Sequence, residues 1–290
     1  LADAKGSTRI SVVIPARDEE STIGPIVRMI RGRLIDEVPL VDELLVVDSY
    51  SRDRTAQVAC EAGAWVVAQD DVLRHLPRML GKGDALYKGL AASGGDVVVF
   101  VDGDLHDFSD HFVTGLLGPL LTEPEIVYVK GFYRRPLGDE ETGGGRVTEL
   151  MARPLINAYW PELAGFVQPL AGEYGGRREV LERLSFVTHY GVEVGHLIDL
   201  LDLVGVDALA QVDLGVRRHH HQSTHALGRM AGQILHTVLD RLHRSGRIAG
   251  GSPATTLTQF VGSRSLVLTD VSVVNRPPLA SLPYRQGVAS

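Results

Sequence analysis

Three short apolar runs, each rich in β-branched residues and each ending at a polar turn, constrain this fold most. Ile10 to Ile14 stops at Pro15, Leu44 to Val47 at Asp48-Ser49, and Val97 to Val101 at Asp102. Runs that are apolar throughout predict strands buried on both faces, as in a parallel sheet. Helical patterns lie between them. Glu19-Glu20-Ser21-Thr22 opens a helix with Ile23, Ile26, Val27 and Ile30 on its apolar face. Thr55 to Ala62 forms a second and Gly63 stops it; Ala85 to Ala92 forms a third, ahead of Gly94-Gly95. Trp65 to Ala68 adds a short strand. Such alternation predicts an α/β fold with a mainly parallel, doubly wound sheet over about the first 130 residues.

The second part is mixed. Ile126 to Phe132 and Ala208 to Val216 predict strands, Val192 to Val204 a helix, and Arg146 to Ala158 a helix interrupted by Pro154. Gly143-Gly144-Gly145 marks a tight or mobile loop. His225 to Arg244 forms a long amphipathic helix, with Leu227, Met230, Ile234, Leu235, Val238 and Leu242 on one side. The tail after Gly250 reads as irregular. We expect one domain over 1–290, with a nucleotide-binding half at 9–130, a second half at 131–250 and the tail at 251–290.

At 290 residues with 44% hydrophobic and 22% charged side chains, the chain has enough apolar material for one large domain. Its net charge of −7 argues against a general nucleic-acid binder. A single cysteine, Cys60, excludes an intrachain disulfide and a cysteine-based zinc site, which fits a reducing cytoplasm. No apolar run approaches membrane-spanning length and no signal peptide is recognisable, so no membrane partner is expected. The chain starts Leu1-Ala2-Asp3 without Met, which leaves room for a short leader.

Asp102-Gly103-Asp104 closes the third run. Two carboxylates one residue apart at a strand end sit where open α/β sheets bind ligands. Carboxylate oxygens suit Mg²⁺ or Mn²⁺, and such a cation suits a diphosphate. The ordinary explanation, a polar turn, also uses Asp and Gly. Pro15-Ala16-Arg17-Asp18-Glu19 lacks the G-x-G-x-x-G phosphate loop and instead offers a guanidinium and a carboxylate, which suit a base and ribose. Favourable acids in a first helical turn explain Glu19 without explaining Arg17. Asp48-Ser49 would lie beside this turn, as a ligand contact or a cap. Gly81-Lys82-Gly83 is not a Walker loop, but its lysine precedes a helix and can reach a phosphate or a sugar. Gly144-Gly145-Arg146-Val147-Thr148 combines free backbone, a guanidinium and a hydroxyl, a plausible anion pocket or simply a linker. Of His219-His220-His221 only one can face a given ion. Glu193 is an acid entering a helix, where the dipole alone would favour it.

Taken together, these segments resemble the actinobacterial-type glucosyl-3-phosphoglycerate and mannosyl-3-phosphoglycerate synthases, retaining glycosyltransferases of the GT-A (Rossmann-like) fold. The resemblance is carried by Val13 to Glu20, Val47-Asp48-Ser49, Gly81 to Leu86 and Asp102 to Leu105. More specific are Phe132 to Pro136, Gly143 to Glu149, Gln168 to Tyr174 and Tyr190 to Glu193. The resemblance implies that Pro15, Ala16, Arg17, Glu19 and Ser49 cradle the donor nucleotide. It implies that Lys82, Asp102 and Gly103 contact nucleotide or sugar, and that Leu170 and Glu193 line the transferred sugar. Gly145, Arg146 and Thr148 would bind 3-phosphoglycerate. Asp104 and His219 would hold Mg²⁺ or Mn²⁺, and Asp102, Asp104 and Glu193 form the catalytic set. A homodimer is the family expectation.

The short stretch from Pro136 to Gly143, Gly103 within D-x-D, and His220-His221 depart from the family pattern. They set the chain apart from mycobacterial glucosyl enzymes and favour GDP-mannose slightly over UDP- or GDP-glucose as donor. The reaction expected is hexosyl transfer to the 2-hydroxyl of 3-phosphoglycerate. No carboxylate pair suits a double displacement, so front-face attack is expected, with a donor phosphate oxygen taking the hydroxyl proton. The alternatives are another acceptor, a sugar nucleotidyltransferase, and a non-catalytic nucleotide-sugar-binding module.

Overall fold

The computed structural model describes residues 1–134, 145–217, 223–261 and 265–284. After a short helix α1 (Ala2–Lys5), strands and helices alternate: β1 (Ile10–Ala16), α2 (Ile23–Arg31), β2 (Glu43–Asp48), α3 (Thr55–Glu61), β3 (Trp65–Ala68), α4 (Lys82–Ala92), β4 (Val97–Phe100). Then come α5 (His111–Thr122), β5 (Tyr128–Arg134), α6 (Arg153–Tyr159), β6 (Tyr174–Arg177), α7 (Arg178–Leu181) and β7 (Phe186–Val187). The chain continues through α8 (Val192–Val204), β8 (Leu209–Val216), α9 (Thr224–Arg244), β9 (Thr256–Val261), β10 (Ser265–Asp270) and β11 (Asn275–Arg276).

Seven strands form one sheet in the order β3-β2-β1-β4-β6-β5-β8. All neighbours are parallel except β6, which runs antiparallel to both β4 and β5. The GT-A architecture is therefore present, with a mostly parallel sheet. Side chains alternate across it. Val13, Val47, Val98 and Phe100 face one apolar core with α4, α8 and α9; Val12, Ile14, Val46, Val97 and Val99 face the other with α2 and α5. Both faces are covered, which is why these runs carry no polar alternation.

Three expectations need correction. Pro15 does not end β1, because the strand continues to Ala16 with Pro15 opposite Val47. Pairing with β4 stops at Val13, so beyond it only β2 flanks β1 and the proline sits at a sheet edge, where it is tolerated. Pro154 does not interrupt a helix; a π-turn at Thr148–Ala152 precedes α6 and the proline lies in the first turn of α6. Nor is the tail irregular. β9 and β10 form an antiparallel hairpin, and β11 pairs with β7.

The tail is also anchored by charge. Arg276 of β11 donates to Asp84 of α4 at 2.6 Å and to the Pro77 carbonyl at 2.6 Å, and both charged side chains are buried. Removing one member strands the other without a counter-charge. Asp84→Ala is expected to cost about 3–5 kcal/mol in urea unfolding, and the double variant Asp84→Ala with Arg276→Met to cost less than Asp84→Ala alone.

Candidate active site

Chain order reverses between β1 and β4: β2 and β3 lie to one side of β1, and β4 lies on the other. Ligands of open α/β sheets bind outside the strand ends at such a switch point. Here a cavity of about 540 Å³ opens at those ends. β1 and its turn supply Pro15, Ala16, Arg17 and Glu19; Ser49 follows β2; Lys82 begins α4; Asp102, Gly103 and Asp104 follow β4. Leu170 precedes β6, Glu193 lies in the first turn of α8, and Gly145, Arg146 and Thr148 precede α6. All of these sequence-derived residues line the same cavity. His219, with His220 and His221, lies outside the described residues.

Backbone contacts hold the turns together. Ser49 N–H donates to the Ala16 carbonyl at 2.8 Å, and Glu19 N–H to Thr55 Oγ1 at 2.7 Å. Thr22 Oγ1 donates to the Gly103 carbonyl at 2.7 Å, which ties the turn after β1 to the D-x-D turn. At Gly172 any side chain would collide with Lys82 Nζ and the Asp102 carboxylate, so the bare backbone closes over that pair.

The floor of the cavity is an ion network. Lys82 Nζ lies 2.5 Å from Asp102 and 3.1 Å from Glu193. Arg217, one residue beyond β8, donates to Asp102 at 3.0 Å, Glu173 at 2.8 Å and the Tyr133 hydroxyl at 2.8 Å through Nη1, and to Asp104 at 2.7 Å through Nη2. Burial alone would raise the pKa of Asp102, but Lys82 and Arg217 hold it well below the usual carboxylate range. Burial likewise opposes charge on Lys82 and Arg217, yet the surrounding carboxylates hold both above their ordinary values. Glu173 is raised, chiefly by burial and against the pull of Arg217. Lys82 is therefore not a solvated loop lysine, and Glu193 is not merely a helix-start acid.

Glu19 differs. Burial and then the Asp104 carboxylate push its pKa up to about 7. Asp104 is half exposed and turned to the cavity, with one oxygen accepting from Arg217. Among the described residues no group of three or more His, Cys, Asp or Glu side chains is arranged to hold a metal ion. A single accessible carboxylate suits a cation that also takes oxygens from a substrate diphosphate, as Mg²⁺ commonly does.

Sequence reasoning missed Arg217, and it quoted Tyr133 and Glu173 without giving them a task. The available signal was position: Arg217 follows a sheet strand at the same edge as Asp102 and Ser49.

Residues 11–184 match the model of the Glycosyl transferase family 2. The glucosyl-3-phosphoglycerate synthase of Petrotoga mobilis is 42% identical over 287 residues, which cover 96% of this chain and 88% of that protein. The Mycobacterium tuberculosis glucosyl-3-phosphoglycerate synthase in complex with Mn²⁺, UDP-glucose and phosphoglyceric acid superposes with a TM-score of 0.86 at 46% identity, covering 96% of this chain and 93% of the other. The same enzyme in complex with Mg²⁺ and UDP gives 0.86 at 45% identity, with the same coverage. No described helix is long and apolar enough to cross a membrane.

The raised Glu19 pKa has a measurable consequence. Between the ordinary carboxyl value of 4.5 and about 7, the folded protein holds a proton there that the unfolded chain does not, so this group's contribution to stability falls as pH rises through that window. A divalent cation held at Asp104 would oppose the carboxylate repulsion and lower the Glu19 pKa. Calorimetric titration with Mn²⁺ at pH 7, in buffers of differing ionisation enthalpy, is expected to show net proton release, on the order of half a proton per site, that Glu19→Gln abolishes.

Proposed function

The chain belongs to glycosyl transferase family 2 and, within it, to the glucosyl-3-phosphoglycerate synthases, and we propose that it moves a glucosyl group from UDP-glucose to the 2-hydroxyl of 3-phosphoglycerate with retention of configuration. The observation that carries this proposal is one cavity in which the D-x-D carboxylates, the turn after β1 and the Gly145–Thr148 segment all face the same space. The relatives described above are named for glucosyl transfer, so glucose takes precedence over the mannosyl donor that the local sequence departures favour. GDP-mannose finds no support among them. Membership of a glycosyltransferase family replaces the nucleotidyltransferase alternative.

In this scheme Pro15, Ala16, Arg17, Glu19 and Ser49 hold the nucleoside, and Lys82, Asp102 and Gly103 hold the diphosphate and the near side of the sugar. Leu170 and Glu193 line the sugar itself. Arg146, the Thr148 hydroxyl and the Gly145 backbone bind the phosphate or carboxylate of the acceptor, turning binding energy into orientation of its 2-hydroxyl. Asp104, with His219, would hold Mg²⁺ or Mn²⁺. Bound there, the ion supplies charge neutralisation to the departing diphosphate. The 2-hydroxyl attacks from the face that UDP leaves and passes its proton to a donor phosphate oxygen. Glu193 already shares Lys82 with Asp102, which favours a role as acceptor of sugar hydroxyls over one as nucleophile.

A cytoplasmic location and a homodimer belong to the same proposal. The apolar face of the β9–β10 hairpin formed by exposed Phe260, Leu266 and Leu268 supports the dimer. A hairpin of only two strands gains most from such a cover.

Product formation with the UDP and GDP forms of glucose and mannose is expected to be fastest with UDP-glucose; faster transfer of mannose would overturn the donor assignment. Asp104→Ala is expected to lower kcat about a hundredfold or more while leaving the unfolding temperature within a few degrees. Arg146→Ala is expected to raise the KM for 3-phosphoglycerate about tenfold with little change in the KM for the donor. Intact-mass analysis during turnover is expected to find no glucosyl adduct on Glu193.

A further inference from the structure

Strand β5 buries a cation that the site described above does not use. Lys130 lies in β5 directly opposite Tyr174 of β6 and is 1% exposed. Its Nζ sits 5.1 Å from the centre of the Tyr174 ring and has no hydrogen-bond partner among the described residues. The hydroxyls of Tyr128 and Tyr174, both ring nitrogens of His196 and Glu173 Oε2 are also buried without a described partner. A leucine would fill such a position at less cost, since unpaired buried charge is expensive and apolar replacements of buried ions are often neutral or stabilising.

Charge balance gives the lysine a purpose. Asp102, Glu173 and Glu193 are three buried or nearly buried carboxylates, and only Lys82 and Arg217 contact them as cations among the described residues. Arg217 is shared with Asp104 as well, so two cations face four carboxylates and negative charge is in excess at the place where a diphosphate must enter. We propose that Lys130 is a positioning residue for glucosyl transfer: its buried ammonium group offsets part of that excess negative charge and so helps hold Glu193 toward the hydroxyls of the donor sugar. The proposal rests on the placement of that sugar against Glu193 given above.

The charges around Lys130 agree with this role. Burial lowers its pKa to about 8, and Glu193 is the strongest influence in the opposite direction. Glu173 and Asp102 add to that pull, and Lys82 of α4 works against it. His196 of α8 is held neutral, first by burial and then by Lys130 and by Arg241 of α9. Tyr128 and Tyr174 are held protonated by burial, so neither supplies a counter-charge at neutral pH. Lys130 is thus charged at pH 7 and loses its charge as pH rises through about 8. Between that value and 10.5 the unfolded chain binds more protons, so this group's burial cost is complete below about 8 and is relieved above it.

The test compares the parent, Lys130→Met and Lys130→Arg as full chains with Mg²⁺. Calorimetry with UDP and UDP-glucose reads the sugar contact without any acceptor. Lys130→Met is expected to bind UDP as the parent does but to lose any advantage of UDP-glucose over UDP. Its kcat at pH 7 is expected to fall about tenfold, with the KM for 3-phosphoglycerate unchanged. The parent kcat is expected to decline as pH rises through about 8, and Lys130→Met to lack that limb. Lys130→Arg, which keeps the charge, is expected to recover turnover and to hold it above pH 8. A Lys130→Met enzyme with parental kcat, with the alkaline limb retained, or with activity lost only in step with a lower unfolding temperature would overturn the proposal. A parent that binds UDP-glucose but transfers nothing to 3-phosphoglycerate overturns the acceptor assignment instead, and the binding comparison still decides the role of Lys130.

Discussion

One guanidinium group joins the parts of this active site. Arg217 leaves β8 and reaches carboxylates that follow β4 and precede β6, together with a hydroxyl on β5. Asp102, Asp104 and Glu173 would repel one another at such short range if that cation were absent. Lys82 performs the same task from α4, between Asp102 and Glu193. Each cation is buried with several anions, and each anion touches at least one cation, so the network keeps its charges although it is largely removed from water. The floor is therefore electrostatically set before any substrate arrives, as catalysis by preorganised charge requires.

The electrostatics differ along the cavity. Around Asp102 the cations win and the carboxylate stays ionised. Around Glu19 burial and the Asp104 carboxylate prevail, and the acid is about half protonated at pH 7. A site that takes a divalent cation together with a diphosphate gains from both conditions: a fixed negative group to aim the ligand, and a second acid that ionises as positive charge comes in.

The donor side was legible in the sequence because its signals are local. Asp102-Gly103-Asp104, Arg17 and Ser49 each stand directly after an unambiguous apolar run, and parallel strands bring such ends together. The network that joins them was not, because its members look ordinary in isolation. Arg217 reads as any arginine beyond a strand; its burial is decided by Tyr133, Glu173 and Asp102, which lie 84, 44 and 115 positions away. Lys130 alternates with apolar neighbours and reads as the polar face of a strand, and only the packing of α8 over the sheet makes that face interior. Tyr174-Gly175-Gly176-Arg177 has the composition of a turn and becomes β6 only because β4 and β5 flank it. The tail hairpin likewise depends on α9, where Gln259 donates to the His225 carbonyl and His225 bonds to that of Phe260.

β6 also limits how this enzyme can move. It is the one strand through which the sheet that carries the turn after β1 is hydrogen-bonded to the pair β5 and β8 that carries Arg217. Swinging one side away from the other would tear ladder bonds along both edges of β6 and break the contact of Arg217 with Asp102. The sheet thus acts as a rigid anvil beneath the cavity.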